Sequence, residues 1–471
     1  MIALEFDNQT IADLGLTPTG EYEARQVFGI KIERRVTEYR AQIYVDQQGK
    51  KHVAPFPKEA RSYSCYSTEV REFAVNLSVN QMVPYERTTQ FIQDVFQYNI
   101  SEGALRSFIH EAYDFVEQNF IPWAKIQLIL SDVAFFDETP INVDGHYASA
   151  IAVTNGQITV VEAYPNRKIE SLIQMGILPY FMGVAMSDSY LGTLHFQDCI
   201  HVLCTCHLRR ELKGVHEKEG MHWAELMLNF FRDLTKRVDE AGCQIEFDEY
   251  KKFIKRFNNI ITRGESEIED KKEAKKVSSN SKTLPLLKRL VKRFVEYTLF
   301  ALFAGIPNNN NAAERALRMH KVPLKISGCF KNVETANEVT TLYSYIDTCR
   351  HYGMSPHEAL SCAFNKRLPD FVDLDQCDQD LLENVSKEQK INRNKVNMSN
   401  DYNCSNETFD DSCQEESTLS ENNTKRSLFS SMKECTNDTI KDRIKNIIKD
   451  RVKILKNDVM DMFLRLGCIA F

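Results

Sequence analysis

Residues 133–164 constrain the fold most. Three runs rich in β-branched and aromatic residues, VAFFDETPINV, HYASAIAVT and QITVVEAYP, are separated by the turn dipeptides Asp144-Gly145 and Asn155-Gly156. Short strands joined in this way form antiparallel hairpins. The helical pattern IESLIQMGIL follows, then an apolar strand FMGVAMSD, a further strand HVLCTCH, and then long helices. Hairpin strands followed by a β-α-β pattern predict an α/β fold, a mixed sheet with helices on its faces.

Elsewhere the patterns are helical or polar. Residues 1 to about 60 are mixed, with a strand-like AQIYV at 41–45 and no clear domain. Residues 84–120 read as two helices. Phe91, Ile92, Val95 and Phe96 have helical spacing, Asn99 makes a break, and Ser101 caps the second helix. Such a pair fits a helix-turn-helix DNA reader or a helical hairpin packed on the next domain. The second helix has only Arg106 as a base, which favours the hairpin. The stretch 208–306 is helical and charged. Within it, RGESEIEDKKEAKKVSSNSK (263–282) predicts a mobile loop. LLKRLVKRFVEYTLFALFAG predicts one amphipathic helix closing near Gly305. Beyond about 370, Asn, Ser, Asp, Glu and Lys dominate, which predicts disorder until a last helix near TIKDRIKNIIKDRVKILKNDVMDMFLRL.

The net charge of -7 excludes a chain that is basic throughout, so any nucleic-acid contact has to come from local patches. No run approaches the roughly 18 apolar residues that cross a bilayer. The start, MIALEFDNQT, lacks the pattern of a signal peptide. The 13 cysteines are odd in number and scattered, unlike a secreted disulfide framework. A cytoplasmic protein is expected.

Three acidic residues stand out. Asp137 lies inside an apolar strand, Asp188 ends another, and Glu314 begins a helix after the run PNNNN. A carboxylate in a buried strand is costly unless its charge is offset. Two on neighbouring strands raise one another's pKa. Divalent metal ions resolve this, because Mg²⁺ takes oxygen ligands. A metal pair about 3.5–4 Å apart can drive phosphodiester displacement. Each residue also has an ordinary reading. Asp137 before Thr-Pro reads as a strand-end turn, Asp188 as a helix cap, and Glu314 as a first-turn glutamate favoured by the helix dipole.

The segments MVPYERTTQFIQDVF, the DET of FFDETP, GILPYFMGV, HVLCTCHLRREL, NNNNAAERALRMHKVPLKISGCF and SYIDTCRHYGMSPHEAL, in that order over roughly residues 25–365, resemble the insertion sequence 66 family of bacterial and archaeal transposases. The resemblance implies a ribonuclease H-like mixed five-stranded sheet with flanking helices, a helical N-terminal segment and a helical insertion. It implies a DDE triad of Asp137, Asp188 and Glu314, holding two Mg²⁺ or Mn²⁺ ions. The activity it implies is metal-dependent DNA cleavage that leaves 3′-hydroxyls, followed by their strand transfer to target DNA. Arg315, Arg318, Lys321, Lys325 and Lys331 are the basic residues expected to meet DNA phosphates near Glu314; a solvated basic face is their plain alternative. A C-x-x-H motif places Cys204, His207 and Arg210 in a structural role beside the site. Zinc is not expected there, since the spacing shows no second ligand pair. The implied partners are DNA at element ends and target, further copies of the chain and helper proteins, with no membrane.

The resemblance divides the chain into an N-terminal remnant (1–60), a helical segment (61–125), a ribonuclease H-like catalytic domain (126–365) with its insertion at 208–306, and a mostly disordered tail (366–471). It also marks departures. Asn309 stands where the family usually has aspartate, Ser189 where glycine is common, and Phe136 where a small residue is usual. No cysteine precedes Cys65, so the family's upstream zinc segment is expected to be lacking. Two other functions fit the same residues: a degenerate copy that at most binds DNA, and a general ribonuclease H-like nuclease.

Overall fold

The computed structural model describes residues 5–29, 33–57, 60, 65–188, 192–273 and 281–374. The chain begins with helix α1 (Asn8–Leu14) and an exposed hairpin of β1 (Ile43–Val45) and β2 (Lys51–Val53). Helices α2 (Thr68–Val75), α3 (Tyr85–Phe96), α4 (Glu102–Asn119) and α5 (Ile121–Ile129) follow. Ser101 caps α4 by accepting the Ala104 N–H at 3.1 Å, the local bond that starts a helix after a break.

The three hairpin strands are β3 (Val133–Val143), β4 (His146–Thr154) and β5 (Thr159–Tyr164). Asp144 and Gly145 both have positive φ, at 51° and 82°, the backbone that a two-residue hairpin turn demands. Helix α6 (Ile169–Met175) crosses to β6 (Val184–Ser187), and β7 (Ile200–Leu203) completes the sheet. The order is β5-β4-β3-β6-β7. β3, β4 and β5 are antiparallel, whereas β6 runs parallel to β3 and β7 parallel to β6. This is the mixed five-stranded sheet of a ribonuclease H-like fold.

Between β7 and the last part of the fold lie α7 (Thr205–Glu219), α8 (His222–Glu240), α9 (Phe247–Glu273), α10 (Thr283–Lys292) and α11 (Phe294–Thr298). They enclose a core of their own around Trp223, Phe230, Phe231, Tyr250 and Tyr297. Helices α12 (Asn311–Ser327), α13 (Val333–His351) and α14 (Pro356–Phe364) return to the sheet.

Two layers cover the sheet. On one face Phe136, Ile151, Val153 and Val160 join α4, α5, α13 and α14 in the largest core. Helix α4 is packed by α2, α5, α13 and α14, with Leu105, Ile109, Ala112 and Val116 fully buried. On the other face α12 sets Ala316 and Leu317 against Ala148, Ala150 and Ala152. Beside it Leu299 covers Val184, Met186 and Val202. Helix α13 runs along the edge strand β5. Its Thr348, Ser344 and Asn337 side chains accept the backbone N–H groups of Thr159, Val161 and Ala163 at 3.1, 2.9 and 2.7 Å. Those donors would otherwise stand open at a sheet edge.

Two expectations need correction. The polar stretch from 263 begins as helix, because α9 continues to Glu273. A buried isoleucine, Ile268, the buried Gly264 and a cap hold it there: the Glu267 carboxylate accepts the His222 and Trp223 N–H groups at 2.8 and 2.9 Å. Gly264 lets the helix pass Leu287 and Trp223, since an added Cβ would lie 2.6 Å from Leu287 Cδ1 and 3.0 Å from Trp223 Cγ. Residues 274–280 lie outside the described residues. The single helix expected to close near Gly305 is broken at Arg293 (φ −121°, ψ 24°), and a 3₁₀ turn follows at Leu299–Ala301. Tyr297, Leu299, Phe300 and Ala301 are all buried, so this run is covered on all sides and is not part of one amphipathic helix.

Packing continues past residue 365, where Phe371 stacks on Tyr352 at 4.1 Å and tilts against Trp123 at 5.8 Å. The expected disorder and last helix of the tail fall outside the described residues. Among the described residues no helix is long and apolar enough to cross a membrane.

Candidate active site

The sheet register explains why Asp137 and Asp188 meet. Phe135 pairs with Met186 across the parallel β3–β6 ladder. Two residues further along come Asp137, still within β3, and Asp188, one residue past the end of β6. Side chains two residues apart share a face, so both carboxylates leave the sheet on the side covered by α12. Both also line one small cleft, together with Leu172 and Thr193. Burial pushes the Asp137 carboxyl up to about 7. The charges of Asp188 and Glu314 push it the same way, while the Glu138 backbone N–H and the Lys321 ammonium oppose them.

Glu314 arrives from the other end of the domain, in the first turn of α12. The asparagine run before it fixes where that turn sits. Asn310 is fully buried, and its Nδ2 donates to the Phe136 carbonyl at 2.8 Å. Its backbone N–H donates to Cys204 Sγ at 3.3 Å, and its carbonyl accepts the Glu314 N–H at 3.1 Å. The Cys204 N–H in turn donates to the Ser187 carbonyl at 2.9 Å. Thr205 donates its N–H and its hydroxyl to the Asn308 carbonyl, at 3.0 and 2.8 Å. One net of hydrogen bonds thus touches the residue before Asp137, the residue before Asp188 and the N–H of Glu314.

Asn309 belongs to the same turn. Its Oδ1 accepts the Asn311 N–H at 3.2 Å. An aspartate oxygen could accept the same bond, so the exchange of carboxylate for amide leaves this turn contact available.

The C-x-x-H motif adjoins Glu314. Cys204 is fully buried at the start of α7. His207 Nδ1 and Arg210 Nη2 each lie 3.5 Å from Glu314 Oε1. A hydrogen bond with Cys204 raises the His207 pKa, against the effect of burial. Glu314 Oε1, His207 Nδ1 and Asn310 Oδ1 are buried atoms without a hydrogen-bond partner.

The five basic residues are all exposed. Arg318, Lys321 and Lys325 follow Glu314 at helical spacing on one face of α12, with Arg315 to one side and Lys331 beyond the helix end. Among the described residues none of the five is in an ion pair with a carboxylate. Asn310 and the Cys204–Asn310 link are the parts that the sequence reading missed. A fully buried asparagine in a run of four has no local signal that sets it apart from its neighbours.

The donor set suits hard divalent cations. It offers carboxylate oxygens, one of them without a hydrogen-bond partner, and one carboxyl that burial, with its neighbours' charges, keeps from ionising easily. No curated protein matches the chain. The model of the Transposase IS66 family matches residues 64–338, more than half of the chain, a span that takes in all three carboxylates and the asparagine turn. Sheet order and match agree: the chain belongs to the IS66 family of transposases.

Proposed function

We propose that this transposase is of the DDE type, with Asp137, Asp188 and Glu314 holding divalent cations for DNA cleavage and strand transfer. The observation that carries the reading is the meeting of these carboxylates through the β3–β6 register and the asparagine turn. Ions bound there would activate the attacking oxygen and stabilise the leaving one. The carboxylates position both reacting groups in line, which is most of what phosphoryl transfer requires. Arg318, Lys321 and Lys325 share the Glu314 face of α12 and neutralise DNA phosphates beside the site. Arg315 and Lys331 extend that track. Cleavage leaves a 3′-hydroxyl, and that hydroxyl attacks target DNA without a covalent protein intermediate. Two copies of the chain working on paired element ends, with helper proteins of the same element, complete the reading.

The test is a cleavage and strand-transfer assay on element-end DNA with Mg²⁺ or Mn²⁺. Asp188→Asn should abolish both steps, and activity that survives it overturns the assignment. Cleavage that ignores the end sequence would make the protein a general nuclease. DNA binding without cleavage would make this copy an inactive one.

A further inference from the structure

Glu314 has a second set of neighbours. Cys204 Sγ, a His207 ring nitrogen and a Glu314 carboxylate oxygen lie within 4.8 Å of one another. They come from three places in the fold: the residue after β7, the first turn of α7 and the first turn of α12. Two of the donor atoms meet only in ion-pair contacts, with each other and, for Glu314, with Arg210. His207 Nδ1 and Glu314 Oε1 are buried, make no hydrogen bond and stand 3.5 Å apart.

The chemistry of this set differs from that of the three carboxylates. Magnesium prefers oxygen and leaves sulfur alone. Sulfur, imidazole and carboxylate together suit a borderline-soft ion such as Zn²⁺. Donor atoms around tetrahedral zinc stand roughly 3.5 Å apart, given zinc–ligand lengths of about 2.0–2.3 Å. The three atoms therefore need to close by about 1 Å. The setting suits a bound metal. Cys204 lies in an apolar shell with Met186, Val202 and Leu299, and Asn310 donates its N–H to the sulfur. Arg210 is the cation now beside Glu314 Oε1, and its side chain is 64% exposed, free to swing out when a metal takes its place.

We propose that Cys204, His207 and Glu314 form a separate site for a thiophilic divalent cation of the zinc class, with its fourth position open to water. Glu314 is then shared between two metal chemistries. Loading the thiophilic site draws a carboxylate oxygen away from Asp137 and Asp188, so the two occupancies are linked. That linkage rests on the proposed function; the binding itself does not.

The test is cobalt(II) titration of the full chain, read by the sulfur-to-cobalt charge-transfer band and the visible bands of four-coordinate cobalt. The wild type should bind one equivalent more of thiolate-ligated cobalt than Cys204→Ser or His207→Ala. Cys206→Ser, which alters a neighbouring thiol outside the cluster, should keep that equivalent. An undiminished band in His207→Ala overturns the proposal, as does loss of the band in Cys206→Ser. Cys204 is buried, so circular dichroism checks the fold of its variant. If that variant unfolds, His207→Ala decides alone. Excess Mg²⁺ should leave the cobalt bands in place; their loss to magnesium also overturns the site. A cobalt band without magnesium-dependent DNA cleavage would sink the proposed function and spare this site. Cleavage without the band would do the reverse.

Discussion

Asp137 and Glu138 are neighbours on β3, yet the fold treats them in opposite ways. Glu138 faces the large core, where Arg167 Nε meets it at 3.0 Å and the Ser149 hydroxyl donates to it. In the same cross-strand row Glu162 is met by the buried Lys125 at 2.6 Å. Asp137 faces α12, where the charges nearest to it include two other carboxylates. A carboxylate that serves the fold is given its own cation. Asp137, which the proposed function assigns to chemistry, is set beside two of its own kind, and under that proposal neutralising it is left to a ligand. Position along the strand decides which, because alternate residues point to opposite faces.

The sharpest way to test the contrast is a pair of substitutions. Asp137→Asn should lower DNA cleavage on the order of 10³-fold or more and leave stability to urea undiminished. Lys125→Met should do the converse. Stranding the Glu162 charge should cost about 3–5 kcal/mol in urea unfolding, with cleavage per folded molecule unchanged. Equal losses of stability from both would erase the distinction between the faces.

Proton linkage gives the next effect. The Asp137 carboxyl titrates near 7 when folded and near 3.8 when unfolded. The folded state therefore favours the proton. Its contribution is full below about 4 and is lost as pH rises through about 7. Without divalent ions, stability should fall over that window by an amount on the order of a few kcal/mol. Asp137→Asn should flatten the profile, and Mg²⁺ should restore stability above neutrality. A flat wild-type profile would mean that neither burial nor the neighbouring carboxylates hold the Asp137 pKa up.

Smaller effects refine the picture. Asn310→Ala leaves the Phe136 carbonyl without its partner, which should cost roughly 1–3 kcal/mol. It should also slow cleavage beyond any loss of folded protein, because Glu314 loses its anchor to β3. Glu138→Gln keeps the shape and breaks a pair whose Arg167 side is half exposed, so about 1 kcal/mol is expected.

Much of this molecule is legible in its sequence, where the signal is local. The strands β3, β4 and β5 follow from alternating composition and two turn dipeptides, and Ser101 caps α4 as its position suggests. What escapes is long-range. The parallel register of β3 and β6 has no local mark, nor does the meeting of Cys204 with Asn310. The end of α9 is hidden because one buried isoleucine and a distant cap outweigh a polar composition. The C-x-x-H motif looks incomplete on the page since its third neighbour, Glu314, lies on another helix.

The Thr205–Asn308 contact has a mechanical consequence. The chain leaves the sheet at one of these residues and returns at the other, 103 positions later. Helices α7–α11 are thus tied to the sheet both by the packing of α11 on β7 and by this contact, whose two sides abut the backbone next to Asp188 and the turn next to Glu314. DNA is stiff, with a persistence length of about 150 base pairs. A duplex seated on that lobe would act as a lever arm, and its torque would reach the carboxylates through the Thr205–Asn308 contact and the α11–β7 packing together.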